Sequence, residues 1–99
     1  MKVWFTARAR RRALLVASWW RANRTEAPDL FEQELQEANQ TLEANPLLGP
    51  VYETVGARVM RRLLLRASEQ HVYYSVDGAT KTVVVHTIWG ARRGRGPKL

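Results

Sequence analysis

RVMRRLLLR (58–66), HVYYSV (71–76) and TVVVHTIW (82–89) decide the fold. All three are short, rich in β-branched, aromatic or aliphatic residues, and best read with a period of two, which is the signature of strands. DGATK (77–81) joins the last two with the Asp-Gly pair that favours a tight hairpin turn, and ASEQ (67–70) joins the first two. Links this short make neighbours antiparallel. The sequence therefore predicts a three-stranded antiparallel meander over 58–89. A sheet of that kind has an apolar side that something else in the chain must cover.

The cover lies upstream. VWF (3–5) reads as a first strand, and Thr6 stands where a helix N-cap belongs. Ala9, Ala13, Val16, Ala17 and Trp20 then recur at helical spacing, so a helix is expected over about 7–23. A second helix follows NRTEAPD (23–29), where Pro28 and Asp29 suit a helix start. Its apolar stripe is Phe31, Leu35, Ala38 and Leu42, and Asn45-Pro46 ends it. NPLLGPVYETVG (45–56) reads as a loop. The expected architecture is a single α+β domain, β-α-α-β-β-β, an antiparallel sheet with an αα-hairpin packed on one face. Its parts are a first strand at 1–6 on a sheet edge, the helical hairpin at 7–45, the meander at 58–89 and a basic segment at 90–99. No internal repeat or low-complexity stretch interrupts it.

Charge is segregated along the chain. Residues 1–24 hold seven Lys/Arg and no acid, 25–57 seven Asp/Glu and no base, and 58–99 nine Lys/Arg against Glu69 and Asp77. The two helices are thus expected to attract each other by opposite charge, and the basic remainder to recruit an anionic partner such as nucleic acid, anionic lipid or an acidic protein. The absence of cysteine excludes a disulfide scaffold and a zinc–thiolate site, and two histidines are too few for a metal cage made by the protein alone. No cofactor and no metal are expected. A cysteine-free chain fits a reducing cytosol. ALLVASWW (13–20) follows a basic run but is too short for a signal core, and no segment approaches the span of a bilayer, so no membrane role is expected.

On strand 58–66, Val59, Leu63 and Leu65 share one face with Arg61, while Arg58, Arg62 and Arg66 share the other with Met60 and Leu64. The first face suits the core and the second an open basic surface. WGARRGRGPKL (89–99) begins where the last strand ends. Trp89 is expected to anchor it, Arg92, Arg93 and Arg95 to add charge near Arg62 and Arg66, and its glycines and Pro97 to shape it into the rim of that surface. His86 alternates with Val84 and Ile88 and reads as a satisfied sheet histidine. Leu14, Leu15 and Trp19 lie off the main stripe of the first helix, which makes that helix apolar on two sides.

This order of elements, with FTARA at the start, NP closing the second helix, and RRLLL, HVYYSVDG and VVVHTIWGARRGRGP in sequence, resembles the RelE/ParE toxins of bacterial type II toxin–antitoxin modules. The resemblance spans nearly the whole chain. It implies a small basic toxin in the cytoplasm, held inactive in a hetero-oligomer by a cognate antitoxin whose C-terminal segment wraps it. Leu14, Leu15, Trp19, Tyr73 and Trp89 are the expected antitoxin contacts, with a second toxin copy as the alternative partner of Leu14, Leu15 and Trp19. Two mechanisms are open. The RelE-like branch cleaves mRNA on the ribosome without metal, using basic side chains and an acid or base to handle the phosphate. Laid on this chain, its set is incomplete: Arg62, His71 and Arg92 match, Leu64 replaces a second basic residue, Gly90 stands where some relatives carry histidine, and 90–99 holds no tyrosine. The ParE-like branch acts on DNA gyrase and needs no cleavage centre. The expectation is a ParE-like, non-enzymatic inhibitor of gyrase. An mRNA endonuclease built on Arg62, His71 and Arg92 and a non-toxic nucleic-acid-binding module are the alternatives.

Overall fold

The computed structural model describes residues 1–99. In chain order it contains β1 (Lys2–Phe5), α1 (Ala7–Asn23), α2 (Leu30–Ala44), β2 (Val51–Val55), β3 (Arg58–Leu65), β4 (Gln70–Asp77) and β5 (Thr82–Gly90). The strands form one sheet in the order β1-β5-β4-β3-β2. The class is α+β, but the sheet is mixed and has five strands.

Two features depart from the expectation. The stretch expected as a loop contains β2, an edge strand that pairs antiparallel with β3 through Val51↔Arg61 and Thr54↔Val59. Its signal was masked by Pro50 and by a bulge at Tyr52 that breaks the alternation of VYETV. Second, β1 runs parallel to β5, with Val3 opposite Val83 and Phe5 opposite Val85, so the sheet is not wholly antiparallel. The two helices supply the long connection that a parallel partner requires.

The helices form for the reasons their sequence suggests. The Thr6 hydroxyl accepts from Ala9 N at 3.1 Å and donates to the His86 carbonyl at 3.1 Å, capping α1 and tying its start to β5. Ala9, Val16 and Ala17 are buried from α1, and Phe31, Ala38 and Leu42 from α2. They pack on Leu65, Val72, Tyr74, Val83, Val85 and Ile88 of the sheet to make one core. The expected attraction between helices reduces to one ion pair, Arg21–Glu32, with both side chains about half exposed. Such a surface pair contributes little, roughly 0–1 kcal/mol.

The opposite face of the sheet is not open. Met60 and Tyr73 are each only 1% exposed there, and Thr87 is fully buried. Residues 91–99 cross it. The Trp89 indole donates to the Arg95 carbonyl at 2.8 Å, Arg8 donates to the Lys98 carbonyl at 2.7 Å, and Pro97 is buried. A Cβ on Gly96 would collide with the Tyr52 hydroxyl, so glycine lets the segment approach β2 this closely. The helix-facing side of β3 also differs in detail. Leu65 is buried and Leu63 packs on the core, whereas Val59 is exposed beyond the helices. Arg61, opposite Tyr74 on β4, is not packed in the core but donates to the carbonyls of Gly49 (2.9 Å) and Leu47 (3.3 Å).

Candidate functional site

Three groups of functional side chains lie around the sheet, at different places. On the outer face, β3 and β4 bring together Arg62, Arg66 and His71 at a cavity of about 420 Å³ whose wall also includes Leu48 and Pro50. The strand pairing sets this up, since Arg62 lies opposite Tyr73 and Leu64 opposite His71. The Arg62 guanidinium sits 4.7 Å above the Tyr52 ring and donates to the Tyr73 hydroxyl at 3.4 Å. Tyr52 meets Tyr73 edge to face at 5.0 Å, and His71 meets Tyr73 likewise at 5.9 Å. Burial, and then the Arg62 charge, holds the His71 imidazole below its ordinary pKa. Near neutral pH the uncharged imidazole is therefore favoured.

Arg92 does not join that group. Its Nε lies 2.9 Å from the Glu69 carboxylate, and it lines a different recess, at the end of α1. Arg93 stacks over the Trp89 ring at 4.0 Å, and Arg95 contributes its carbonyl to the Trp89 indole. Arg58 faces a third, smaller cavity of about 210 Å³ with Arg8, Met60, His86 and Leu99. Of the six arginines expected as one basic surface, five are thus spread over three recesses, and Arg95 lines none of them.

His86 occupies a bulge. Tyr73 pairs with Thr87 and Tyr74 with Val85, which leaves His86 unpaired between them. The bulge ends the alternation through Val84, His86 and Ile88, so Ile88 enters the core under the helices. The imidazole Nε2 and the Ser75 hydroxyl share a hydrogen bond at 2.8 Å, so His86 is satisfied within the sheet.

Of the side chains expected to meet a partner protein, Leu14, Leu15 and Trp19 are 68%, 54% and 48% exposed on α1. Leu14 lies beside a groove of about 390 Å³ between the helices, with Phe5, Ala13, Phe31 and Leu35. Trp89 is half-buried against Arg93, and Tyr73 is buried, so Tyr73 presents no surface to a partner in this fold.

Sequence reasoning overlooked the recess at the end of α1. Trp19, Trp20 and Arg24 from the helix meet Gln70, Arg92 and Arg93 around about 460 Å³. The available signal was WWRANR (19–24), which puts Arg24 one helical turn beyond Trp20. Glu34 was also missed. Its carboxylate accepts from Ala67 N (2.7 Å), Ser68 N (2.9 Å) and Ser68 Oγ (2.6 Å), fastening α2 to the β3–β4 turn.

No group of three His, Cys, Asp or Glu residues gathers to hold a metal, and no helix is long and apolar enough to cross a membrane. No protein-family model matches the chain, and a search of curated proteins returns no match.

Proposed function

We propose that this chain is the toxin of a RelE/ParE-type toxin–antitoxin pair, acting in the cytoplasm by binding DNA gyrase and silenced by a cognate antitoxin. The observation that carries the reading is the architecture: a short edge strand, two helices covering one face of the sheet, and antiparallel strands ending in a basic segment that folds back across the other face. The exposed Leu14 beside the interhelical groove, with Leu15 and Trp19 exposed elsewhere on α1, supports a role for that helix in receiving the antitoxin's apolar side chains.

Binding is favoured over RNA cleavage because the three residues that would do the chemistry are divided. Arg62 and His71 share a cavity, while Arg92 is held by Glu69 in another. A cleavage centre needs groups on both the attacking and the leaving oxygen of one phosphate. The endonuclease remains the second reading because Arg62, Arg66 and His71 do converge on one cavity, with His71 in the neutral form a general base requires.

Induced expression without antitoxin, with pulse-labelling of DNA and protein, tests both. Growth arrest with DNA synthesis falling first is expected. Protein synthesis falling first, with toxicity abolished by a folded Arg62→Ala or His71→Ala variant, would replace this reading by the endonuclease. Unimpaired growth would remove the toxin reading altogether.

A further inference from the structure

Apart from Leu15 and Trp19, the side chains around the recess at the end of α1 have no task in the reading above, and their composition is specific. It has two lobes, of about 460 Å³ and about 250 Å³, which share Trp19, Gln70 and Arg93 as walls. The larger lobe adds Trp20, Arg24 and Arg92, and the smaller adds Arg12. Their size is that of small-molecule sites, and the lining is polar with a few large aromatic surfaces.

Positive charge is concentrated here against a single carboxylate, Glu69 in the larger lobe. Arg92 is paired with Glu69, but no carboxylate pairs with Arg12, Arg24 or Arg93. Arg12 donates its Nε to the Ile88 carbonyl at 3.1 Å, which fixes the guanidinium and leaves its remaining donors free. Burial, and then repulsion from Arg93 and Arg8, holds Arg12 below its usual pKa. A bound anion relieves that repulsion, and two guanidinium groups are the donors best matched to phosphate oxygens.

The aromatic side is equally prepared. Arg24 lies over the Trp19 ring at 4.9 Å and Arg93 over the Trp89 ring at 4.0 Å. Trp20 holds Trp19 edge to face at 6.0 Å, and Trp19 stays 48% exposed. Layered indole and guanidinium planes are platforms on which nucleobases stack. Gln70, which lines both lobes, adds a hydrogen-bonding signal: its Oε1 is buried with no donor in the protein. An unpaired buried acceptor is costly, so a turn of the Gln70 amide that brings Oε1 to a ligand N–H in the recess gains a bond the protein does not supply.

We propose that this recess binds a nucleoside phosphate, with the base stacked on Trp19 and Arg24 in the larger lobe, an amino group of the base meeting Gln70, and the phosphate between Arg12 and Arg93 in the smaller lobe. An acidic peptide would meet the arginines but leave the indole surface unused. The site stands apart from the Arg62–His71 cavity, and the inference does not depend on the cellular target proposed above. The same chemistry is offered by a free nucleotide and by one unit of a single strand.

Calorimetric titration of the full chain with AMP, inorganic phosphate, a short single-stranded oligonucleotide and a glutamate-rich peptide tests it. Saturable AMP binding is expected, weakened about tenfold by Trp19→Ala and by Arg93→Gln. Lys2→Gln, which removes a charge from β1, should bind AMP as the parent does. Trp19→Ala should leave the weaker binding of inorganic phosphate unchanged, which separates stacking from charge. Arg24→Gln, on an exposed helix end, serves if either of the other variants melts early. An oligonucleotide that binds more tightly and is displaced by AMP would assign the site to a strand, whereas AMP binding alone would assign it to a free nucleotide. The proposal is overturned if AMP fails to bind, if it binds no better than inorganic phosphate, or if the peptide displaces it from the same arginines.

Discussion

Tyr74 illustrates how single residues hold this fold. It is fully buried under the helices, yet its hydroxyl accepts from Gly49 N at 2.8 Å. Burial raises its pKa above the ordinary 10.0, outweighing the Gly49 hydrogen bond and the Arg61 charge, which act the other way. Tyr74→Phe leaves the Gly49 N–H unpaired in a buried place and should cost about 1–3 kcal/mol, read from denaturant unfolding. A smaller loss, within a few tenths of a kcal/mol, would mean that water replaces the hydroxyl. The histidines act on the acid side. Burial first, then Arg58 and Arg8, holds His86 below 6.5, and burial with Arg62 does the same for His71. In the unfolded chain both titrate near 6.5, so on acidification the unfolded state takes up protons first. Their contribution is therefore complete above about pH 6.5 and is lost as pH falls from there through the lower folded values. Melting temperature should drop as pH falls below about 6.5, and the double variant His71→Gln, His86→Gln should flatten that drop. An unchanged slope in the double variant would place the titrating groups elsewhere. At this scale the sequence was only partly legible. Tyr73 and Tyr74 are readable as opposite-facing, but the outward one is also buried, packed against Tyr52 of the unforeseen β2 and beside Arg62 and His71.

At the scale of elements, both helices and the meander could be read from periodicity because each is a local pattern with a local signal. Thr6 as N-cap, Asn45-Pro46 as a stop and Asp-Gly as a turn are chemical instructions confined to a few residues. In the turn, Asp77 Oδ1 accepts from Ala79 N at 3.0 Å and Thr80 N at 3.3 Å, and Lys81 takes the positive φ of 52°. What escaped was non-local: β2, the parallel pairing of β1 with β5, and the bulges at Tyr52 and His86. A bulge shifts the period by one, so an alternating pattern read through it assigns every later residue to the wrong face. Ile88 is the example. Glu34 escaped for another reason, since nothing distinguishes it from the other acids of α2 until the β3–β4 turn is placed beside it. Its three hydrogen bonds at 2.6–2.9 Å are charge-assisted and hold a turn in which Glu69 adopts a positive φ of 57°. Glu34→Ala leaves two backbone N–H groups and the buried Ser68 hydroxyl without their acceptor, and about 2–3 kcal/mol of stability should be lost. Hydrogen exchange at Ala67 and Ser68 should rise in the same variant. Unchanged exchange there would show that the turn is held by β3 and β4 alone.

For the molecule as a whole, the charge distribution governs behaviour more than any single pair does. Sixteen Lys/Arg face nine Asp/Glu, yet only two ion pairs form, Arg21–Glu32 and Arg92–Glu69. Both are exposed, and each contributes roughly 0–1 kcal/mol. Against them stand arginines gathered around the sheet in three recesses, where like charges repel. Arg12 crowded by Arg93 and Arg8 is one case, and His86 between Arg58 and Arg8 is another. If repulsion outweighs the two pairs, adding salt must stabilise the fold. Screening over a Debye length of about 10 Å at 0.1 M reaches the spacing of such clusters. Melting temperature should therefore rise as sodium chloride increases from near zero to about 0.15 M. Phosphate at equal ionic strength should raise it further, because an anion held between guanidinium groups does more than a diffuse ion atmosphere. A fall with salt would mean that the ion pairs dominate. Equal effects of chloride and phosphate would mean that the recesses are charged but not shaped for an anion.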